Sequence, residues 1–575
     1  MVEQKDSLVI DSIEPSLSAP QVDGEAQASS RPYDKTNDEV HTSPLPMDIE
    51  EQAVRSKPRR TAILTALYLV MFITALDQTI VATSIPSISS SLHSAAGYTW
   101  IGSAYLLSTA ASGPIWVRGS DIFGRKPALL GSVIVFAVGS IVAATATTMR
   151  ALIAARALQG LGAGGVNQLV YVTISDLFSM RERALWFGCL GGIWAVAGSA
   201  GPVLGGALTE RVSWRWCFWI NLPVCGAALA LLLACLNVHN PRTKLREGAR
   251  AIDWLGTVTI VSFTVLGLLG MEFGGTTVPW HSPTVICLIV FGGVMVGLFI
   301  LVEKRFARFP LIPMRLFGNW FTVAAFALAF AHAMVSFGIE YYLPLYFQSV
   351  KQARPLKSGL YILPVMVTEA ATDVLAGVFL HRIGRYREIT WVGTVLMALG
   401  TGLLVSLNVT SSIGMTIGFA IVGGIGTALL FQTPVIAAQN SVERKADTAA
   451  ATATLGFMRN IATSFSIVLG GVIFRDSMER QQTVLEALSV DSDIVRKLAG
   501  DMAAANVGVV KEIVNPGQRE AAQGAFAWSL RNMFIFYTAL CGVAVVAGCF
   551  VRQKPMTSEH TETRTGVREL EKGAA

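Results

Sequence analysis

Asp77 stands in the run Leu76-Asp77-Gln78-Thr79-Ile80-Val81-Ala82, inside the first long apolar segment of the chain. A carboxylate among such neighbours is costly to keep charged and is a natural proton carrier; the other reading is a hydrogen-bonded structural acid. Arg156 opens a second polar constellation, Arg156-Ala-Leu-Gln159-Gly160-Leu-Gly162-Ala-Gly164-Gly165. An arginine within an apolar helix either pins helix packing or acts on a nearby carboxylate and so tunes proton uptake, and the glycines admit a close neighbour. A third is the loop Arg118-Gly119-Ser120-Asp121-Ile122-Phe123-Gly124-Arg125-Lys126. Gly124 suits a tight turn, and Asp121 can cap a helix end and pair with Arg125, a charge set that would serve as a gate latch. In Gly198-Ser-Ala-Gly201-Pro202-Val-Leu-Gly205-Gly206, Pro202 removes a helical hydrogen bond and Gly201, Gly205 and Gly206 permit close packing and hinging. Glu340, Glu369, Asp373 and Arg459 are further charges in apolar surroundings. Glu369 and Asp373, four apart on one helix face, are candidates for coupling or cation binding.

The elements that must position these residues are membrane spans. Of 575 residues, 52% are hydrophobic and 15% charged, against roughly 25% charged in soluble domains, and the mean hydropathy is +0.52. Lipid must therefore solvate much of the chain. Apolar segments of spanning length recur at about 62–82, 99–117, 127–147, 152–174, 184–208, 217–237, 254–271, 283–302, 320–342, 358–379, 388–407, 412–434, 449–474 and 526–551, fourteen in all. Runs this long and continuous are helices. With a cytoplasmic N-terminus, the inner loops collect Arg118, Arg125 and Lys126; Arg181 and Arg183; Arg242, Lys244, Arg246 and Arg250; Lys304, Arg305, Arg308 and Arg315; Arg382, Arg385 and Arg387; Arg444 and Lys445. The short outer loops carry Arg150, Arg211, Arg215, Lys351, Arg354 and Lys357, and three of them have no Lys or Arg. This bias places both termini in the cytoplasm. The net charge of +6 is thus topology, and no basic patch points to nucleic acid.

Residues 1–60 are polar and aperiodic and are expected to be a disordered cytoplasmic tail. Residues 61–240 form a six-helix half, 241–310 two inserted helices, and 311–551 a second six-helix half with an extracellular loop at 475–525, followed by a cytoplasmic tail, 552–575. An internal repeat supports the halves: Asp121-Ile-Phe-Gly124-Arg125-Lys126 after the second span answers to His381-Arg-Ile-Gly384-Arg385-Tyr386 after the tenth. Asn408-Val-Thr410 matches a glycosylation sequon but abuts a helix end, where it is expected to go unused. The seven cysteines form no C-x-x-C and have no histidine at metal spacing, so no disulfide framework, metal or cofactor is expected.

Taken together, these segments resemble the major facilitator superfamily, and within it the fourteen-spanner drug:proton antiporters. The loop after span two, Arg156-x-x-Gln159-Gly160 and Gly201-Pro202-x-x-Gly205-Gly206 match motifs that recur together there, the last being associated with export. Leu76-Asp77-Gln78-Thr79-Ile80-Val81 is similar to the first-span motif, and Ser213-Trp214-Arg215-Trp216-Cys217-Phe218-Trp219-Ile220-Asn221-Leu222-Pro223 to the start of the sixth span. Tyr342-Leu343-Pro344-Leu345-Tyr346-Phe347-Gln348 resembles fungal members, including exporters of toxins and other secondary metabolites. Val117 stands where the loop motif has its first Gly, and His381 replaces the acid of the second copy, which should stiffen one turn and weaken the second latch.

The resemblance implies an all-α membrane protein of the major facilitator fold, two six-helix halves plus two inserted helices, working by alternating access. It implies proton-coupled efflux of a small organic substrate, with Asp77 and Arg156 in coupling, Asp121, Gly124 and Arg125 in the gate, and Gly201, Pro202, Gly205 and Gly206 as the antiporter hinge. Trp194, Phe337, Tyr341 and Glu369 are expected in the substrate cavity. The chain is expected to act as a monomer in the cell membrane, with the vacuolar membrane as the other location. Rival readings are a defined cargo, such as a siderophore or a basic amino acid, or a transporter-like sensor, which the short polar tails disfavour. No G-x-x-x-x-G-K-[ST] loop supports an ATP-driven pump, and no nucleophile–base or metal constellation supports an enzyme.

Overall fold

The computed structural model describes residues 57–81, 83–92, 97–236, 241, 243–274, 278–444, 447–500, 502–557 and 565–574, which fall within one compact unit, Val54–Ala575. They are built from long helices: α1 Lys57–Ile80, α2 Gly97–Phe123, α3 Arg125–Thr145, α4 Met149–Leu177, α5 Met180–Arg211, α6 Asn221–Cys235, α7 Trp254–Phe273, α8 Pro283–Arg305, α9 Trp320–Ser349, α10 Pro355–Ile383, α11 Tyr386–Leu404, α12 Ile413–Ser441, α13 Thr448–Ala487 and α14 Pro516–Phe550. A one-turn helix, Trp216–Trp219, leads into α6. Eleven of these helices are long and apolar enough to cross a membrane. The remaining three, α2, α4 and α11, coincide with expected spans; α4 is the most polar in outlook because Arg150, Arg156 and Asp176 lie along it. In lipid the helix satisfies every backbone polar group within the segment, which is why apolar runs of this length fold so.

Boundaries shift from expectation in three places. α1 begins at Lys57, inside the segment expected as tail, whereas residues 1–56 and Lys445 lie outside the described residues. The expected loop at 475–525 is largely helical: α13 runs on to Ala487, short helices follow at Ser492–Lys497 and Val507–Glu512, and α14 starts at Pro516. The third is the tail after Val551, which is docked to the protein's surface, as described below.

α1–α6 pack among themselves, as do α9–α14, and the inserted pair α7–α8 packs chiefly on itself. α7 also touches α2 and α13: Ser103 donates to Glu272 at 2.9 Å, Trp100 meets Phe273 edge-on at 5.8 Å, and Phe263 meets Phe457 at 6.3 Å. The insert therefore lies along the seam where α2 and α13 bring the two halves together.

The halves share one scaffold, and close helix contacts set its register. A Cβ on Gly139 of α3 would lie 2.7 Å from the backbone nitrogen of Gln159 on α4; a Cβ on Gly400 of α11 would lie 2.1 Å from that of Gly423 on α12. Gly162 abuts the nitrogen of Phe136 at 2.5 Å as Gly426 abuts that of Met397 at 2.1 Å. Both contacts map α3 onto α11 with an offset of 261 residues and α4 onto α12 with 264. Gly124 and Gly384, at the two repeated loops, both hold positive φ, +100° and +73°, a conformation open to glycine at little cost. Gly162→Leu and Gly426→Leu, each forcing these helices apart, should cost about 1–3 kcal/mol apiece. Thermal unfolding of the solubilised protein should show similar losses for the two; a loss confined to one would contradict the shared register.

Candidate functional site

Asp77 lies near the end of α1 remote from the Arg- and Lys-rich loops, and Arg156 is at the matching level of α4. Both are buried, and Nη1 of Arg156 donates to Oδ2 of Asp77 at 2.5 Å. Oδ1 of Asp77 accepts from Nδ2 of Asn221 at 2.6 Å and from Nε2 of Gln159 at 3.0 Å. Those two amides also donate to Oγ of Ser140, at 3.1 and 2.9 Å. Arg156 donates further to the carbonyls of Ile101 (3.0 Å) and the Gln159 side chain (3.0 Å), and lies 4.3 Å over the ring of Tyr105. Tyr105 in turn donates to the Thr74 carbonyl at 3.1 Å. The lone carboxylate expected from the sequence is thus the centre of a network drawn from α1, α2, α3, α4 and α6. The sequence alone does not single out Ser140 or the amide roles of Gln159 and Asn221, although both amides stand inside motifs the sequence displays.

The expected Asp121–Arg125 pair is present and draws in more groups than the sequence suggests. Nη1 of Arg125 donates to Asp121 and to Ser120, both at 2.5 Å, and its Nε donates to Asp176 at 2.6 Å. Arg118 sits 3.4 Å from Asp121. Asp176, at the end of α4, was not picked out from sequence; an acid beside a basic inner loop was the available signal. Gly124 makes the turn between α2 and α3 at φ +100°. In the other half, the same register carries Arg125 to Tyr386 and Asp176 to Asn440, and these make a neutral contact, Asn440 Nδ2 to the Tyr386 hydroxyl at 3.4 Å. Arg385 is exposed and only 4.0 Å from Glu388, and His381 engages the Arg181 carbonyl at 3.1 Å. The second loop keeps a positive-φ glycine, one residue out of this register, while Arg125 and Asp176 have neutral counterparts.

The chain after Val551 is laid across this basic face. Tyr386 donates to the Arg552 carbonyl at 2.7 Å, Gln553 to the Gly384 carbonyl at 2.9 Å, and Asn440 to the Lys554 carbonyl at 3.1 Å. Arg181 of the N-terminal half donates to the Met556 carbonyl at 3.2 Å. Farther on, the Gly566 amide donates to the Asp121 carbonyl at 2.8 Å, while Val567 and Leu570 pack with Ile122, Ala251 and Phe309.

The halves meet along α5 and α10, where a Cβ on Gly377 would lie 2.7 Å from the Ala184 carbonyl. Toward the basic face, Arg183 donates to Gln439 at 3.3 Å and Gln439 to Ser175 at 2.9 Å. Farther along α5, Val196 and Val203 are 57% and 65% exposed. This arrangement is closed at the basic face. Gly201 and Gly205 seat α5 on α1, their Cβ positions 2.0 Å from Oγ1 of Thr79 and 2.1 Å from the Ile80 carbonyl, and Thr79 donates across to the Ala197 carbonyl at 3.1 Å, just before Pro202. Gly206 faces open space, so the contact is made by two glycines of the three.

The expected cavity residues are not brought together. Trp194 packs against the main core, Phe337 sits in a small cluster with Ala333, Met334 and Ala462, and Tyr341 is 57% exposed beside Tyr342. Glu369 turns into the C-terminal half and accepts from Thr427 at 3.2 Å. Asp373 accepts from Gln432 at 2.7 Å and rests against Gly191 of α5. Arg459 donates to the Phe431 carbonyl and stacks 5.0 Å over that ring. Among the described residues no group of three or more metal-ligating side chains occurs.

Residues 67–471 match the family model of the Major Facilitator Superfamily. The chain belongs to that superfamily. It is 40% identical over 520 residues to the MFS-type transporter ppz2 of Metarhizium majus, covering 90% of this chain and 89% of that one. It is 42% identical over 520 residues to the efflux pump dotC of Dothistroma septosporum, with the same coverage, 90% and 89%. The human organic anion transporter MFSD10 shares the fold, with a TM-score of 0.54 at 14% identity over 86% of this chain and 100% of that one. This facilitator is therefore a membrane transporter rather than an enzyme.

Removing one partner of the buried pair leaves an uncompensated charge, at a cost of about 3–5 kcal/mol. Chemical denaturation should show Asp77→Asn strongly destabilised and the double variant Asp77→Asn/Arg156→Gln less so. A double variant as damaged as the sum of both singles would contradict a direct coupling of the two side chains.

Proposed function

We propose that this facilitator exports small organic compounds, secondary metabolites or toxins among them, in exchange for protons, its two halves rocking about a central cavity. The observation that carries the reading is the Asp77–Arg156 pair, buried within a chain whose relatives include efflux pumps. The chain has no phosphate-binding loop to draw on ATP, and intramembrane carboxylates are groups on which an ion gradient can act. Asp77 and Arg156 belong to the coupling machinery through position. Their ligands come from five helices, so any shift of α1 against α4 must break or remake a dense set of charged hydrogen bonds. Asp121, Arg125 and Asp176 do the same at the basic face, and the α1–α5 contact at Gly201 and Gly205, next to Pro202, is where α5 would flex. The basic loops face the cytoplasm, which puts both termini there, and the protein acts as a monomer in the cell membrane.

In vesicles holding the purified protein, a fluorescent compound panel should be driven against its gradient when a pH gradient is imposed, and Asp77→Asn should lower that flux at least tenfold. Equilibrative flux that ignores the pH gradient would contradict proton coupling while leaving the transporter assignment intact.

A further inference from the structure

The register that maps α3 onto α11 and α4 onto α12 carries the Asp77 network into the other half. Ser140 maps to Thr401, Arg156 to Ala420 and Gln159 to Gly423. Asp77 and Glu340 are the acids that α1 and α9 present to these positions. The counterparts are also neighbours: Glu340, Thr401, Ala420 and Gly423 line one cavity of about 30 Å³, together with Glu369. The C-terminal half has kept the acid and reduced the arginine and glutamine to alanine and glycine, and a void remains.

The groups around that void are poorly served. Glu340 accepts from Ser336 at 3.3 Å and Glu369 from Thr427 at 3.2 Å, both neutral hydroxyls. Thr401 is fully buried and its hydroxyl has only the Cys541 thiol, a weak partner, beside it, whereas its counterpart Ser140 accepts two hydrogen bonds. The other ionisable groups on the surrounding helices are engaged elsewhere. On α9, His332 contacts the Thr427 carbonyl at 2.9 Å and Tyr342 donates to the Ile467 carbonyl at 2.5 Å. On α10, Asp373 is held by Gln432 and, one turn from Glu369, also faces it as a like charge. On α13, Arg459 is committed to the Phe431 carbonyl, with its charge acting on Asp373. On α14, Tyr537 donates to the Ser466 carbonyl at 2.9 Å and Cys541 is a buried thiol.

Two carboxylates flanking one small cavity, with no cation among the described residues that line it, require a proton or another cation from outside to be neutral. The cavity has room for a water molecule but no arginine fills it. We propose that Glu340 and Glu369 form the site that binds the coupling proton. Hydronium reaching the cavity gives its proton to a carboxylate oxygen, the carboxylate becomes a neutral carboxyl, and the water left behind can bond Thr401. Arg156 fills the equivalent place beside Asp77 permanently, so the N-terminal half carries a fixed cation where the C-terminal half takes an exchangeable one. The proposal rests on the reading that transport is proton-driven and names the residues that carry the proton.

Infrared difference spectroscopy on the full chain in lipid nanodiscs, stepped from alkaline to acidic pH, reads the carbonyl band that appears as a carboxylate takes up a proton. Wild type should show a titrating band that Glu340→Gln and Glu369→Gln each reduce by at least half and that Asp77→Asn leaves in place. A band lost in Asp77→Asn and kept in both glutamine variants would overturn the assignment. So would a band suppressed at constant pH by sodium or potassium ions, which would make the cavity a metal-cation site. If Glu340→Gln does not fold, Glu369→Gln carries the same test from the other side of the cavity. The spectrum needs no transported compound. Gradient-independent flux alongside a normal band would therefore overturn the transport reading alone, and a missing band alongside gradient-driven flux would overturn this site alone.

Discussion

A guanidinium placed inside a membrane-spanning bundle must be given an anion and hydrogen-bond acceptors by the protein, because lipid supplies neither. In this facilitator Arg156 receives them from Asp77, Gln159 and the Ile101 carbonyl, with the Tyr105 ring beneath it. Meeting that requirement brings α1, α2 and α4 to one point, and Ser140 and Asn221 bring in α3 and α6. The N-terminal half is therefore assembled around its charges. The glycines Gly160 and Gly164, whose Cβ positions would lie 2.2 Å from the Tyr105 carbonyl and Ser112 Oγ, let α2 and α4 approach closely enough for it.

The second half repeats the scaffold without repeating the charges. At the basic face, Arg125 and Asp176 become Tyr386 and Asn440; at the other end, Arg156 and Gln159 become Ala420 and Gly423. At these equivalent places one half is braced by fixed ion pairs, while the other, whose own partly buried pair is Arg315–Asp447, holds Glu340 and Glu369 beside a void. Under the alternating access proposed above, the braced half would move as a unit and the half with neutralisable acids would respond to what arrives from solution. The docked chain after Val551 adds contacts to Tyr386, Asn440 and Arg181, so the neutral latch is supplemented by backbone carbonyls from the tail.

Much of this was legible from sequence. Apolar runs gave the helices and their order, the basic loops marked one face, and the Gly-Arg repeat announced two halves, because each follows from local composition or from a glycine that needs positive φ. The pairing of Arg125 with Asp121 was legible because the two are four residues apart across the turn at Gly124. Asp176, Asn221 and Ser140 were not, since which helix faces meet is a tertiary fact that spacing along the chain does not encode. The aromatic residues Trp194, Phe337 and Tyr341 lie in separate surroundings for the same reason, residue type having been read without knowledge of facing. The tail's docking runs through backbone carbonyls of residues 552–556, which leave no trace in side-chain pattern. The vacated site was hidden differently: its evidence is the absence of an arginine at position 420, visible only once the two halves are in register.

The most direct test of the account is the spacing of spin labels at Val203 on α5 and Leu360 on α10, both exposed, measured in lipid as pH is lowered. These positions lie on the two halves, away from the closed basic face. If protonation of Glu340 and Glu369 is what releases the halves to rock, the distance should shorten on acidification in the wild-type background and stop responding to pH in Glu340→Gln. A Glu340→Gln protein that keeps the full pH response would contradict the account and place the proton's point of action elsewhere in the bundle.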